Sequence, residues 1–331
     1  MNQRSSGFLL SKAIEGFFNF KLAEAASLGT ITGYRHDLKH FLEHVGDQDL
    51  KKVTPETVRE FLGWLRTGYV PKRFDQSTHA LSPKTLRNYW VVLSSFFAWL
   101  NREFGYDDVM TKVPAPKYKR APVEPFTREQ VALLLKAVEY SDEAKTTDRR
   151  TFRLRRSTHK RDTAIVLSLL DTGLRASELS SLNVGDVDIK TGRIVIKHGI
   201  TGGAKGGKGR TVYLGKTARK AVWTYLISRE DQGEDAEAPL FIGKFDRPIN
   251  KNMLLHLVKR LGQRAGVKGC HPHRFRHTFA ITYLRSGGDV FTLQSLLGHS
   301  DLDMVKHYAR VADIDVADVH RRASPADNWR L

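Results

Sequence analysis

Apolar side chains recur every three or four positions through the first hundred residues, which is the spacing of amphipathic helices. Leu28 and Gly29 form a predicted break between the first two helices. The next two begin after Thr54 and Ser82, each followed by proline, because a hydroxyl side chain caps a helix and proline suits its first turn. The pattern therefore predicts a four-helix domain in residues 1–110.

A change of composition follows this domain. Residues 111–125 hold four prolines and four basic residues, which is typical of an extended, semi-rigid linker. A capping box begins at Thr127 and opens another amphipathic helix. We therefore expect a second domain in residues 126–331, with a C-terminal tail from about residue 311 in which Ile314, Val316 and Val319 are possible anchors.

The pattern of the second domain predicts a few strands among several helices. Residues 192–197 and 210–214 alternate as strands do, and the glycine-rich stretch between them predicts a mobile hairpin loop with Lys205 and Lys208 near its tip. The spacing of this loop does not fit a Walker phosphate-binding loop. The fold class is therefore mostly α with a small β-sheet. Helices are expected at 162–170, 218–229, 250–264, 272–284, 293–297 and 303–309.

Composition narrows the possible partners. The 331 residues carry a formal net charge of +18, which indicates a polyanion such as DNA. One cysteine, Cys270, excludes an intrachain disulfide and fits a reducing compartment. Neither a signal-peptide pattern nor a membrane-length apolar run is found. We expect a cytoplasmic protein that has no membrane contact.

One basic run leaves two interpretations open. Seven of the thirteen residues from Arg149 to Arg161 are lysine or arginine, which is typical of a solvated loop but also of a DNA contact in so basic a chain. The linker and the fourth helix offer similar side chains. The candidate DNA contacts are Lys84, Arg87, Lys117, Lys119, Arg120, Arg155 and Arg156.

The last half of the chain carries residues suited to cleaving a phosphodiester, which needs cations on its oxygens, a nucleophile and an acid for the leaving oxygen. Arg175 and Arg276 can each bind phosphate through a bidentate fork. His273 lies three positions before Arg276, so both project from one helical face. Tyr308 is the candidate nucleophile, although composition alone does not separate it from Tyr283.

Other side chains complete this set. Glu178 follows Arg175 by three positions and could orient either Arg175 or His273. His299 can donate a further hydrogen bond, and Lys205 can deliver a proton to the leaving oxygen.

Several runs in these regions resemble one protein family, the tyrosine recombinases or phage integrases, and are most similar to Xer-like and to transposon or phage integrases. The resemblance covers about residues 127–310, and the N-terminal helices resemble the SAM-like core-binding domain of that family. The runs that carry it are Thr-Gly-Leu-Arg-Ala-Ser-Glu-Leu (172–179), Lys-Gly-Gly-Lys-Gly-Arg (205–210), His-Arg-Phe-Arg-His-Thr-Phe-Ala (273–280) and Leu-Leu-Gly-His-Ser-Asp-Leu (296–302), followed by Tyr308.

The resemblance implies a role for each residue. Tyr308 attacks the scissile phosphate and leaves a 3′-phosphotyrosyl enzyme with a free 5′-hydroxyl. Arg175 and Arg276 clamp the phosphate, and His299 donates a hydrogen bond to it. Lys205 acts as general acid and His273 as acid or base, while Glu178 supports the site. Lys208 competes with Lys205 for the acid role and is otherwise a phosphate contact.

The resemblance also implies an assembly. A homotetramer forms on two synapsed double-stranded DNA core sites and exchanges strands through a Holliday junction, without metal or other cofactor. The free chain is a monomer or weak oligomer associated with the nucleoid. The stretch 149–161 is longer than the usual connection in the family, and the tail can pack on a neighbouring subunit. The alternatives are a type IB topoisomerase, which uses similar chemistry, and a DNA-binding protein without catalytic activity.

Overall fold

The computed structural model describes most of the chain, and its contacts divide the chain into two compact units, Met1–Ala121 and Pro122–Leu331. Side chains within 142–151 are not described. The described residues are 8–73, 77–119, 124–141, 144–146, 149–197, 209–231, 233–243, 246–298, 308, 309, 320, 324 and 329.

The first unit contains the four predicted helices, α1 (Leu10–Ala23), α2 (Leu28–Val45), α3 (Pro55–Thr67) and α4 (Pro83–Phe104). The sequence signals at the start of α3 and α4 are confirmed. Thr54 forms a reciprocal capping box with Thr57, and the hydroxyl of Ser82 accepts from the backbone N–H of Thr85 at 3.1 Å. The buried faces of all four helices share one apolar core.

The predicted break at Leu28 and Gly29 is wrong. Both residues lie in the first turn of α2, and the chain turns three residues before Leu28, where Ala25 has φ +54°. Ser27 explains the difference, because its hydroxyl accepts from the backbone N–H of Thr30 at 3.2 Å and caps the helix there.

The first part of the proline-rich stretch packs against the first unit. Met110 and Val113 are buried in its core, and the indole N–H of Trp90 donates to the carbonyl of Val113 at 2.9 Å. The compact unit therefore runs past residue 110, to Ala121. Beyond Val113, the described residues up to 119 form neither helix nor strand.

The second unit is built around a central helix, α6 (His159–Thr172), which contacts α5 (Arg128–Glu139), α8 (Lys216–Leu226) and α10 (Pro272–Arg285). The helix α5 begins with the predicted capping box, in which Thr127 and Gln130 bond to each other's backbone N–H. The helices of this unit are α5 (Arg128–Glu139), α6 (His159–Thr172), α7 (Ala176–Ser180), α8 (Lys216–Leu226), α9 (Lys251–Arg264), α10 (Pro272–Arg285) and α11 (Val290–Leu297).

The two predicted strands are present and pair with each other. β3 (Arg193–Ile196) and β4 (Arg210–Tyr213) run antiparallel, with Arg193 opposite Tyr213 and Ile196 opposite Arg210. Their buried face joins the core of the second unit. The predicted fold class, mostly α with little β-structure, is thereby confirmed.

The basic run after α5 is not simply a solvated loop. β1 (Ala144–Thr146) and β2 (Arg149–Phe152) pair as antiparallel strands. The ladder continues towards the helices through Tyr140 and Arg155, and the backbone N–H of Ser141 donates to the carbonyl of Leu154 at 2.8 Å. The alternation of apolar and polar residues that marks most strands is absent from the sequences of these two strands, Ala-Lys-Thr and Arg-Arg-Thr-Phe.

Among the described residues, none of the helices has the length and apolar character needed to cross a membrane.

Candidate active site

Glu178 lies at the centre of a cluster of guanidinium groups. It belongs to the short helix α7, which starts directly after Arg175, and its side chain is fully buried. One carboxylate oxygen accepts from the backbone N–H of Arg175 at 2.8 Å, and the other accepts from the Nη1 of Arg175 at 2.8 Å. Of the two partners proposed from sequence, Glu178 therefore orients Arg175, whose side chain stays 32% exposed.

Arg210, the first residue of β4, is a member of the site that the sequence analysis missed. Its Nη1 and Nη2 donate to the two oxygens of Glu178 at 3.0 and 2.8 Å, in the bidentate geometry that guanidinium and carboxylate favour. Its Nε donates to the carbonyl of Leu296 at 2.7 Å. Arg210 ends the run Lys-Gly-Gly-Lys-Gly-Arg, so its position in that motif was the available signal.

These contacts set the ionisation of Glu178. Burial raises its pKa, but the hydrogen bonds and charge of Arg210, together with those of Arg175, outweigh that effect and lower the pKa to about 2. The carboxylate is therefore ionised at neutral pH. Because one negative charge faces Arg175, Arg210 and the neighbouring Arg276 within the described part of the chain, this cluster has an excess of positive charge suited to an anion.

Arg276, on α10, donates hydrogen bonds to the C-terminal ends of two other helices, α6 and α11. It is 1% exposed, and its Nη1 and Nη2 donate to the carbonyls of Gly173 at 2.9 Å and Leu297 at 2.6 Å. These carbonyls belong to the C-terminal ends of α6 and α11, where helices leave acceptors unsatisfied and carry partial negative charge.

One donor of Arg276 remains available. Its buried Nε–H has no hydrogen-bond partner within the described part of the chain, which is costly unless a ligand supplies an acceptor. Burial lowers the pKa of Arg276 to about 10, and the charge of Arg175 acts in the same direction, whereas Glu178 and Tyr308 raise it. The guanidinium therefore stays charged at neutral pH and can donate to an anion.

Two glycines shape the turns beside these arginines. Gly173 ends α6 and Gly298 ends α11, both in the left-handed region with φ of +62° and +61°. A Cβ on Gly298 would lie 3.0 Å from the side chain of Arg210. The end of α11 is thus fixed by Arg210 and Arg276, which donate to its last carbonyls, and by the left-handed turn at Gly298.

Tyr308 is fully buried and bonded to a histidine. It lies in an apolar cluster formed by α10 and α11, and its hydroxyl is 2.7 Å from the Nδ1 of His277. Tyr308 also raises the pKa of Arg276 electrostatically, so the candidate nucleophile lies near a candidate phosphate ligand. His277 lies in the run 273–280 that carries the family resemblance, but that resemblance implies no role for it.

The structure separates the two candidate tyrosines. Tyr283 packs over Gly288 and beside Phe279, and lines an apolar cavity of about 900 Å³ between α5 and α10. Tyr308 instead contacts His277 next to Arg276. The geometry therefore favours Tyr308 as the nucleophile.

His273 lies on the same face of α10 as Arg276 and His277. It is exposed, and its ring meets that of His277 edge-on with centroids 4.3 Å apart. His271 caps this helix, with its Nδ1 accepting from the backbone N–H of Arg274 at 3.1 Å. That cap fixes where α10 begins and so which side chains face Glu178 and Tyr308.

Several predicted residues lie outside the described part of the chain. They are the catalytic candidates Lys205 and His299, the supporting residue Lys208, the DNA-contact candidate Arg120, residues 303–307 of the short helix expected at 303–309, and the tail anchors Ile314, Val316 and Val319.

The remaining DNA-contact candidates have different environments. Lys84, Lys117 and Lys119 are exposed. Arg87 is half-buried, lies over the ring of Trp90 and donates to the carbonyl of Pro116 at 3.4 Å.

The two arginines of the hairpin region already have acidic partners. Arg155 pairs with Glu139 at 3.1 Å but stays 62% exposed. Arg156 pairs with the fully buried Asp162 at 2.9 Å and donates to the carbonyl of Val138 at 3.2 Å. Arg156 therefore neutralises a buried carboxylate, which Arg161 shares at 2.7 Å.

The described residues include no group of three or more His, Cys, Asp or Glu side chains placed to hold a metal ion. Cys270 is buried against the backbone of α9 at Gly262, and burial raises the pKa of its thiol to about 11.

Comparison with known families identifies the class of protein that this fold and site define. The phage integrase family model matches residues 124–314, and the model of the phage integrase N-terminal SAM-like domain matches residues 14–103. The chain belongs to the phage integrase family, the tyrosine recombinases.

Two relatives span nearly the whole chain. Tyrosine recombinase XerA of Thermococcus kodakarensis is 32% identical over 302 residues, covering 91% of each chain. Tyrosine recombinase XerD of Oceanobacillus iheyensis is 28% identical over 324 residues, covering 96% of this chain and 99% of the relative.

Solved structures share the fold at lower identity. A XerH site-specific recombinase in a post-cleavage complex with a palindromic difH substrate has a TM-score of 0.65 and 19% identity, covering 96% of this chain and 85% of its own. The Tn1549 transposon integrase with a circular intermediate DNA has a TM-score of 0.67 and 18% identity, covering 96% and 99%.

Proposed function

We infer that this chain is a site-specific DNA recombinase that cleaves and rejoins double-stranded DNA with Tyr308 as nucleophile. The observation that carries this inference is the Tyr308 hydroxyl held beside Arg276, within a cluster of three guanidinium groups around Glu178. The +18 net charge and family membership support DNA as the substrate. The relatives are named recombinases, so a type IB topoisomerase is not favoured.

In this proposal the arginines act on the phosphate. Arg276 offers its Nε–H and Arg175 its exposed guanidinium to the non-bridging oxygens, while Glu178 and Arg210 hold Arg175 in place. Lys205 protonates the leaving 5′-oxygen, with Lys208 on the same loop as a phosphate contact, and His299 adds a hydrogen bond. Tyr308 becomes joined to the 3′-phosphate, which conserves the energy of the broken bond for rejoining.

The assembly is also a proposal. Four copies would synapse two core sites and exchange strands through a Holliday junction, and the enzyme would act on nucleoid DNA. Lys84, Lys117, Lys119 and Arg155 are the exposed cations proposed to contact the backbone. Fourfold assembly would appear as a DNA-dependent rise in mass in light scattering, and a mass unchanged by paired sites would contradict it.

A covalent trapping assay tests the central proposal. The protein is incubated without added metal on a nicked suicide duplex carrying DNA from the flanks of its own genomic element. A protein–DNA adduct that survives denaturation is expected from the wild type and from Tyr283→Phe, and its loss from Tyr308→Phe. An adduct that persists in Tyr308→Phe would place the nucleophile elsewhere. Relaxation of any supercoiled plasmid without site preference would instead support the topoisomerase.

A further inference from the structure

His277 makes a contact that the roles assigned above leave unused. Its Nδ1 lies 2.7 Å from the Tyr308 hydroxyl oxygen, within the 2.6–3.2 Å or so that proton transfer requires. His277 is 8% exposed and Tyr308 is fully buried. Water therefore competes little for the phenolic proton at this position.

We propose that His277 accepts the proton of the Tyr308 hydroxyl when this tyrosine attacks DNA. The inference rests on the proposed recombinase function. It makes His277 a catalytic residue, because its Nδ1 touches the reacting oxygen. The resemblance to the family assigned acid–base work to His273 instead, one turn earlier on α10.

The arrangement on α10 supports this choice. Tyr308 acts electrostatically on the neighbouring Arg276 and raises its pKa, so the phenol that bonds to His277 also lies near the guanidinium that would bind the phosphate. His273 is more exposed, and its ring meets the edge of the His277 ring. From that position His273 fits a phosphate contact or a brace for the His277 ring.

The proton transfer is balanced in both directions. During cleavage the proton passes from the Tyr308 oxygen to Nδ1, the bond from that oxygen to phosphorus forms, and the bond to the 5′-oxygen breaks as Lys205 protonates it. During rejoining the 5′-hydroxyl gives its proton back to the Lys205 amine and attacks phosphorus. The bond from phosphorus to the Tyr308 oxygen breaks, and the His277 imidazolium returns its proton to the departing phenolate. Cleavage requires the neutral imidazole tautomer with its proton on Nε2 and Nδ1 free to accept.

A substitution can separate proton acceptance from hydrogen bonding. In His277→Asn the amide lies near the position of Nδ1, so it can still bond to the hydroxyl but cannot take its proton. The rate of adduct formation at saturating suicide DNA is expected to fall by about 10²–10⁴-fold. DNA affinity and melting temperature should stay close to those of the wild type, which controls for a folding defect.

A more acidic phenol at position 308 provides the decisive test of this role. Difluorotyrosine incorporated at position 308 needs less help from a base, so it should restore His277→Asn by about tenfold or more. The matched variant His273→Asn should gain no such recovery. A His277→Asn rate within about threefold of wild type, or no recovery with the fluorinated residue, would overturn the proposal, as would recovery of His273→Asn alone.

The two proposals fail in distinguishable ways. If the wild type forms an adduct and His277→Asn forms it equally fast, only the role of His277 is wrong. If the wild type forms no adduct with DNA that it binds specifically, the recombinase function itself is wrong, and the role of His277 falls with it.

Discussion

Arg210 connects three parts of the second unit through one guanidinium, which contacts both oxygens of Glu178 and the carbonyl of Leu296. Arg210→Met keeps the aliphatic length but leaves the buried Glu178 with Arg175 as its one remaining ion-pair partner among the described residues. Breaking a buried pair from one side costs about 3–5 kcal/mol, so we expect a loss of unfolding free energy of that order in chemical denaturation.

A matched variant controls for the loss of one charge. Arg193 lies on the neighbouring strand β3 and is exposed, so Arg193→Met should change stability by less than about 0.5 kcal/mol. Arg210→Met should also slow adduct formation, because Arg175 loses its support. Equal stability of the two variants would contradict the bracing role of Arg210.

Glu178 should make stability depend on pH. Its pKa is lowered to about 2 from the ordinary 4.5, so its contribution is present above pH 4.5 and is lost as pH falls towards 2. A shift of this size corresponds to about 3 kcal/mol. Urea denaturation at several pH values should show that the unfolding free energy of the wild type exceeds that of Glu178→Gln at about pH 5, and that this difference shrinks as pH falls from about 5 to 3. A constant gap between the two would contradict the assignment.

At the scale of elements, the last turn of α11 is held by Arg210 and Arg276, which donate to the carbonyls of Leu296 and Leu297. Gly298→Ala places a Cβ 3.0 Å from Arg210 and strains a backbone with φ +61°. The backbone alone should cost about 1 kcal/mol. Displacement of Arg210 should reduce the rate of adduct formation as well.

Gly266→Ala is the matched control. Gly266 has φ +67°, and no described atom lies within 4 Å of its added Cβ. It should therefore show the backbone cost in thermal denaturation without the loss of adduct formation. If both variants cleave DNA equally well, the end of α11 does not support the site.

The elements show which features a sequence can predict. Caps at Thr54, Ser82 and Thr127 are local, since each side chain bonds within its own first turn, and these helix starts were predicted correctly. The Ser27 cap was not predicted, because Gly29 two residues later is itself a signal for a break between helices. The β1–β2 hairpin was missed because a charged ladder lacks hydrophobic alternation.

The contacts of the candidate site also fall into two groups, those that sequence spacing predicts and those that it does not. Arg175 and Glu178 are three positions apart, so their contact follows from helical spacing. Arg210 and Glu178 are 32 positions apart, and His277 and Tyr308 are 31 apart. Only the packing of the second unit brings such residues together, so periodicity gave no sign of these two contacts.

At the scale of the whole molecule, the net charge of +18 predicts a strong dependence of DNA binding on salt. Each lysine or arginine that neutralises a phosphate releases bound counterions, and the affinity falls with a slope of about −0.9 per contact on logarithmic axes. With six or more contacts, affinity should fall about 10³-fold or more between roughly 50 and 200 mM salt. Fluorescence anisotropy with a labelled duplex measures this slope, and a flat response would contradict DNA backbone binding.

The linker lysines test which part of the chain contacts the DNA backbone. Lys117 and Lys119 are exposed in a segment without helix or strand, so changing both to glutamine should reduce the slope by about 2. The pair Lys51 and Lys52, exposed in a short turn of the same unit, supplies a control with an equal loss of charge. If both double variants lower the slope equally, net charge alone governs affinity. A decrease only in the linker variant means that this segment lies on the phosphate backbone.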